Sequence, residues 1–246
     1  MAPLSSGRRR AEVAGLTDPL GFAALGHLVL FGAVLPILGW QSGRRFATVS
    51  LPPRRQYFAT VIVQQLFLGT IATVVWWRLE LDLFTPFRPR WTDLALAAAF
   101  LASAVALAVP QWRRSIEGRD RRIYLVAPRD GPERLLWAGI SVAAGIFEEI
   151  AYRGVLFWII EALTGSVLVS VALSALAFSL AHLVQGPKAA GFVFVFGLGF
   201  HGLVLATETL SWAIVVHIAF DLIAGYRLGR LAEEAGLPLE VPGPIT

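Results

Sequence analysis

The sequence predicts an all-α integral membrane protein with about eight transmembrane helices that enclose a polar intramembrane cavity. Of its 246 residues, 56% are hydrophobic and 15% are charged, and the mean hydropathy is +0.66; soluble domains rarely have this composition. The apolar residues fall in windows of about 17 to 25, which is the length a helix needs to cross roughly 30 Å of hydrocarbon. Ionisable residues recur inside the later windows, and they predict the cavity.

Each predicted span is bounded by charged residues, proline or glycine. The first half has three spans, at approximately 20–40, 56–77 and 91–110. Tryptophans near the ends of the first two suit the level of the lipid headgroups. The second half has five, at approximately 133–149, 151–163, 166–185, 188–206 and 209–228. The first two of these five form either one long kinked helix or two short helices, because Gly154 and a charged cluster lie between them.

The spans divide the chain into four parts. Residues 1–19 are polar and rich in Gly and Pro, which predicts an N-terminal tail; residues 20–130 hold the first three spans and a basic loop. Residues 131–230 form a helical core that carries the polar groups, and the Pro-rich residues 231–246 predict a flexible C-terminal tail. The sequence has no cysteine, which excludes disulfides, thiolate ligands and a cysteine nucleophile.

The basic residues lie mainly in the connections between spans. Such clusters are typical of loops that contact anionic membrane lipid, so we expect no binding of nucleic acid. Their distribution favours the first and third loops on the cytoplasmic side. The Arg- and Ala-rich composition favours a bacterial cytoplasmic membrane.

The stretch FEEIAYRG, residues 147–154, places three ionisable groups between apolar runs. One charge at a helix centre costs about 2.5–3.5 kcal/mol on insertion scales, so such residues normally face a protein interior or a wet cavity. Glu149 and Arg153 have the i, i+4 spacing of an ion pair. Glu148 is then left without a cationic partner in its own helix, which suits a general base. A structural network of ion pairs between helices is the alternative.

Two further pairs have the same spacing. Phe178 and His182 lie in FSLAHL, and His217 and Asp221 lie in HIAFD. Side chains at i and i+4 enter the same space, so the second pair suits two ligands of one metal ion or two groups around one oxyanion. A core histidine with one hydrogen bond, and a private hydrogen bond between His217 and Asp221, are the respective alternatives. His27 and His201 have no acidic neighbour at helical spacing, and we interpret them as packing or pore-lining residues.

The ordered set EExxxR, FxxxH and HxxxD resembles the CPBP family of intramembrane proteases, which includes the CAAX prenyl endopeptidases and bacterial Abi-type proteins. The resemblance covers roughly residues 133–228 and implies a catalytic core there, in an eight-helix fold with a cavity open to one membrane face. It also implies that Glu148 activates water with help from His182, that Arg153 orients Glu149, and that His217 and Asp221 stabilise an oxyanion or hold a metal. Prenyl-processing relatives usually have Asn where this chain has Asp221.

The function that the resemblance implies is an intramembrane endopeptidase acting on a protein or peptide substrate. A zinc ion on His182, His217 and a carboxylate, and a metal-free glutamate mechanism, both fit these residues. The sequence has no HExxH motif to decide between them. A non-catalytic membrane scaffold or immunity-type protein with a structural polar cluster is the alternative function. An ion-coupled transporter is less favoured, since the two halves show no inverted repeat.

Overall fold

The computed structural model describes residues 19–46, 48–84 and 90–237. Most of the predicted N-terminal tail and residues 238–246 of the predicted C-terminal tail lie outside this part. Within it, the secondary structure consists of seven helices and two short 3₁₀ helices, Arg121–Leu125 and Leu183–Gln185. The helices are α1 (Pro19–Val29, Leu30–Val34 and Leu35–Arg45, continuous), α2 (Arg54–Arg78), α3 (Trp91–Glu117), α4 (Gly131–Thr164), α5 (Val167–Ala181), α6 (Pro187–Thr207) and α7 (Leu210–Glu234).

Six of these helices are long and apolar enough to cross a membrane, and α5 is a shorter apolar helix. The prediction of an all-α membrane protein is therefore confirmed. Large apolar side chains on the outside of the described bundle are strongly exposed, for example Phe67 at 66% and Leu168 at 78%. This exposure is expected where lipid, rather than water, is the solvent.

The predicted number of eight helices is wrong, because the windows 133–149 and 151–163 form one helix, α4. Gly131–Glu148 and Phe157–Thr164 are α-helical, and Glu149–Leu156 between them is π-helical. A π-helical turn bonds residue i to i+5 and keeps the backbone hydrogen-bonded, so the helix passes Gly154 without a break. π-helical turns occur frequently at functional sites.

Neighbouring helices bond to the carbonyl groups of this π-helical segment. His27 Nε2 on α1 donates to the carbonyl oxygen of Ala151 at 3.0 Å, and Ser174 Oγ on α5 donates to that of Tyr152 at 2.7 Å. Both side chains are buried, at 1% and 0% exposure. His27 therefore has a hydrogen-bonding role that its sequence neighbours do not indicate.

Helices α2 and α4 approach each other closely. A Cβ atom on Gly69 would overlap the ring of Phe147, and one on Gly139 would lie 3.3 Å from the side chain of Ile62. The stripe of α2 that faces α4 includes Phe58 and Ala72, both fully buried. This contact sets the position of α2 beside residues 147–149 of α4.

The connections at one end of the bundle form a network of hydrogen bonds. Arg121 donates to the carbonyl oxygens of Phe46 and Val49, at 2.8 and 2.7 Å. Buried Arg54 pairs with Glu133 at 3.1 Å. Asp130 caps α4 by accepting from the amide of Glu133, and its contact with Arg55 lowers the pKa of its carboxyl group below the usual value. These contacts fix the first and third loops against the start of α4.

Candidate active site

The predicted acid cluster lies where the α-helical part of α4 passes into its π-helical segment. Glu148 is the last residue of the first part and Glu149 the first of the second. Glu149 is fully buried, and Glu148 retains 14% exposure of its side chain. The two adjacent carboxylates thus have different surroundings, one enclosed by protein and one open to a cavity.

Glu149 contacts two groups through one oxygen atom. Its Oε1 lies 3.1 Å from Arg153 Nη1, the predicted i, i+4 partner, and 2.7 Å from His217 Nδ1 on α7. The guanidinium of Arg153 is buried between aromatic rings, 4.2 Å from the centre of Phe178 and 5.1 Å from that of Phe200. Cation–π contacts of this kind offset part of the cost of burying the charge.

Glu148 contacts a residue of the first half of the chain. Its Oε1 lies 2.6 Å from Nε2 of Gln65 on α2. Its Oε2 lies 4.0 Å from His182 Nε2 and 3.8 Å from His217 Nε2. Both imidazoles therefore present Nε2 towards the same carboxylate oxygen.

The second nitrogen of each histidine is already engaged. His182 follows the last residue of α5, and its Nδ1 donates to the carbonyl oxygen of Phe178 at 2.8 Å. Nδ1 of His217 bonds to Glu149. A carbonyl or an ionised carboxylate can only accept, so each Nδ1 carries the proton. Each Nε2 is then an acceptor in the neutral ring and a donor in the imidazolium.

Asp221 lies one turn after His217 but does not bond to it. The distance between Asp221 Oδ2 and His217 Nε2 is 3.7 Å, which is beyond a hydrogen bond. The private bond considered from the sequence is therefore absent for this pair, and Glu149 orients His217 instead. The side chain of Asp221 is 24% exposed.

A cavity of about 1070 Å³ adjoins this cluster. Its lining includes Glu148, His182, His217 and Asp221, together with Gln65. Glu149 and Arg153 are not part of the lining and lie behind it, fully or almost fully buried. The structure thus brings all six predicted site residues together but separates four that face the cavity from two that support them.

The two remaining histidines lie outside the cavity lining. His201 is 2% exposed and its ring centre lies 5.4 Å from that of Phe157, with Nε2 unpartnered. His27 bonds to Ala151 as described above.

Sequence reasoning missed Gln65 and the bond between Glu149 and His217. Neither contact has a local spacing, since they join residues 83 and 68 positions apart. The available signal for Gln65 was its place in the stripe of α2 that also holds Phe58, Gly69 and Ala72, at successive steps of seven, four and three residues.

Zinc is the metal that the sequence left open for this site. Among the described residues, no group of three or more His, Cys, Asp or Glu side chains could hold a metal ion. Tetrahedral zinc ligands at about 2.0–2.2 Å from the metal stand about 3.4 Å apart. The distances from Nε2 to carboxylate oxygen, 3.7–4.0 Å, are wider. They also allow a water molecule to bridge two of these groups. Binding of zinc at this site stays a prediction.

The fold and the site define a class of protein: helical membrane proteins with a buried glutamate–histidine cluster beside a cavity. Residues 131–223 match the family model named Rce1-like, whose description is "Type II CAAX prenyl endopeptidase Rce1-like". The predicted resemblance is thereby confirmed for this segment, which runs from the start of α4 into α7 and contains all six predicted site residues. The family is one of peptidases. No curated protein and no solved structure matches the chain.

Proposed function

We propose that this protein is an intramembrane endopeptidase that hydrolyses a peptide bond with a water molecule activated by Glu148. The observation that carries this proposal is the convergence of Glu148 Oε2 with Nε2 of His182 and of His217, at 4.0 and 3.8 Å. A water molecule bonded to Oε2 can bridge from it to Nε2 of either histidine at an ordinary hydrogen-bond distance. The similarity of residues 131–223 to a peptidase family supports it independently.

The first step is attack on the scissile carbonyl. Glu148 Oε2 takes one proton from the water while the oxygen bonds to the carbonyl carbon, and His182 Nε2 holds the water in place. Oε1 of Glu148 is bonded to Gln65, so Oε2 is the oxygen available as a base. The product of this step is a tetrahedral intermediate with one negative oxygen.

His217 is the donor for that oxygen in this proposal. Its Nδ1 proton is held by Glu149, so Nε2 donates when the ring is an imidazolium, which the carboxylates of Glu149 and Asp221 stabilise. Arg153 balances the negative charge on Glu149. When the intermediate collapses, the proton on Glu148 passes to the leaving nitrogen and the C–N bond breaks, which restores the carboxylate.

The cavity is the intramembrane chamber in this account. Its volume of about 1070 Å³ is slightly above the range of ordinary ligand sites, about 300–1000 Å³, which suits several residues of extended peptide. Its wall includes Arg114, Asp120 and Lys188 near the helix ends. A peptide entering between those residues from the membrane surface would reach Glu148. We place the protein in a bacterial cytoplasmic membrane, in contact with its lipids.

The test is peptide cleavage by the purified protein in lipid vesicles, with product masses measured for peptides with and without a prenylated cysteine. Glu148→Gln is compared with Glu161→Gln, a change on the same helix outside the cavity lining. We expect cleavage by the wild type and Glu161→Gln and none by Glu148→Gln. Equal cleavage by both variants would show that Glu148 is not the base and would overturn the proposal. No cleavage by the folded wild type would favour the scaffold.

Metal dependence is tested in the same assay. The metal-free mechanism predicts that activity survives prolonged chelation at every pH at which the protein remains folded. Loss of activity on chelation, with recovery on addition of Zn²⁺, would favour the zinc mechanism. Metal content of the purified protein is measured in parallel.

A further inference from the structure

We infer that Gln65 is a positioning residue for Glu148 and that the first half of the chain thereby completes the active site. This inference rests on the proposed function and extends it to a residue outside the family match at 131–223. Gln65 Nε2 lies 2.6 Å from Glu148 Oε1, across 83 positions of sequence. An ionised carboxylate can only accept, so the amide nitrogen of Gln65 is the donor.

The bond selects one of two equivalent oxygen atoms. Rotation of a free carboxylate exchanges Oε1 and Oε2, but here Oε1 is held by Gln65 on α2. Oε2 then faces the imidazoles of His182 and His217. Without the amide, the side chain of Glu148 gains rotational freedom, and the fraction of time in which Oε2 faces the cavity falls.

The packing of α2 against α4 supplies the geometry for this bond. Gly69 lies one turn after Gln65, and Phe147 immediately precedes Glu148. Because a side chain on Gly69 would overlap the ring of Phe147, only a glycine there permits this approach of the two helices. Gln65 is the polar member of an otherwise apolar stripe.

The neighbouring Gln64 provides a matched comparison. It lies on the same helix at the same depth but is exposed on the outside of the bundle, next to Val63, which is 65% exposed. Gln64 is not part of the cavity lining, whereas Gln65 is. A difference in activity between variants at these two positions therefore reports the contact with Glu148 rather than the loss of a polar group from α2.

Other charged and titratable groups also face Glu148. His182, His217, Asp221 and Tyr152 lie within its electrostatic range, and Glu149 and Arg153 adjoin it on α4. None of these is altered by a change at residue 65. A shift of the pH dependence in a Gln65 variant would therefore come from the lost donor.

The experiment compares Gln65→Leu with Gln64→Leu in the vesicle cleavage assay. We expect Gln64→Leu to match the wild type and Gln65→Leu to lose about tenfold or more in kcat with little change in KM. The acidic limb of the pH–rate profile of Gln65→Leu moves to higher pH, because the ionised carboxylate has lost its donor. A purely structural role would lower the yield of folded protein but would not move this limb.

A second readout does not depend on activity. Infrared difference spectra between wild type and Glu148→Gln isolate the carboxyl band of Glu148, which is then titrated with pH. The same titration is repeated in the Gln65→Leu background. We expect the protonated band to persist to higher pH in that background. If Gln65→Leu does not fold, Gln65→Asn, which keeps the amide on a shorter side chain, takes its place. An unchanged titration overturns the inference about Gln65. The peptidase proposal is unaffected by that result, because it depends on cleavage and not on Gln65.

Discussion

The carboxylate of Glu149 accepts a hydrogen bond from Nδ1 of His217, with 2.7 Å between the two atoms. This contact joins the π-helical segment of α4 to α7 and orients Nε2 of His217 towards Glu148. Because Arg153 contacts the same oxygen of Glu149, the site has a fully buried support behind the residues that face the cavity.

A cycle of substitutions at Glu149 and Arg153 tests the support. Glu149→Gln leaves the buried guanidinium unpaired, which we expect to cost about 3–5 kcal/mol of stability and to abolish cleavage. Arg153→Met has a similar effect, but the double variant recovers much of the stability and none of the activity. Thermal unfolding in detergent and the cleavage assay measure the two effects; additive losses in the double variant would contradict the pairing.

His182 should matter for activity more than for stability. It follows the end of α5, and its side chain is 22% exposed. We expect His182→Asn to change the unfolding midpoint little and to reduce kcat about 10²–10⁴-fold, the range for a group that transfers or positions a proton.

His201 provides the comparison for that result. It is buried outside the cavity lining and its Nε2 has no partner, so His201→Phe should retain activity within a few-fold. Loss of cleavage on this change, with normal unfolding, would mean that His201 itself takes part in catalysis.

The contact of α2 with α4 predicts the effect of a single methyl group. Gly69→Ala should destabilise the protein by about 1–3 kcal/mol, because Phe147 must move to admit the added carbon. It should also lower activity through displacement of Gln65. Gly202→Ala serves as the control, since a Cβ there meets no atom within 4 Å. Equal unfolding midpoints for the two variants would contradict the packing.

The seven-helix fold predicts an orientation in the membrane. In the described part of the chain, one end of the bundle carries most of the basic residues, and the other end has Arg78 and Arg90. The first end holds Arg44, Arg45, Arg54, Arg55, Arg113, Arg114, Arg119, Arg121, Arg122, Arg129, Arg134, Lys188, Arg227 and Arg230. Positive residues favour the cytoplasmic side, so the loops beside the cavity mouth should lie there.

Thiol labelling measures this orientation directly, because the chain has no cysteine of its own. Glu117→Cys and Asp82→Cys place one thiol at each end of the bundle, both at exposed positions. A reagent that does not cross membranes should label Asp82→Cys in intact cells and Glu117→Cys only after the membrane is opened. The reverse pattern would place the cavity mouth on the outer side.

The sequence was sufficient for the fold class because membrane spans depend on a local property, the length of an apolar window. It was insufficient for the number of helices, since whether the chain breaks at Glu149–Leu156 depends on a π-helical turn and on hydrogen bonds from His27 and Ser174 on other helices. No spacing within 133–163 distinguishes a break from a continuous helix. The prediction of eight spans counted one helix twice.

The site shows the same division between local and distant contacts. The pairing of Glu149 with Arg153 follows from i, i+4 geometry and is observed at 3.1 Å. By contrast, the contacts of Glu149 with His217 and of Glu148 with Gln65 depend on how whole helices pack. Helix packing also decided that Asp221 stands 3.7 Å from His217 without bonding to it.

The most direct test of the central claim is to follow the oxygen atom that Glu148 is proposed to activate. Cleavage is allowed to proceed for a single turnover in water labelled with heavy oxygen, and the masses of the product peptide and of the fragment containing Glu148 are measured. If Glu148 acts as a base, the new carboxyl group of the product carries one heavy oxygen and Glu148 carries none. Heavy oxygen on Glu148, with an unlabelled product, would show that the carboxylate attacks the peptide itself and would contradict the account.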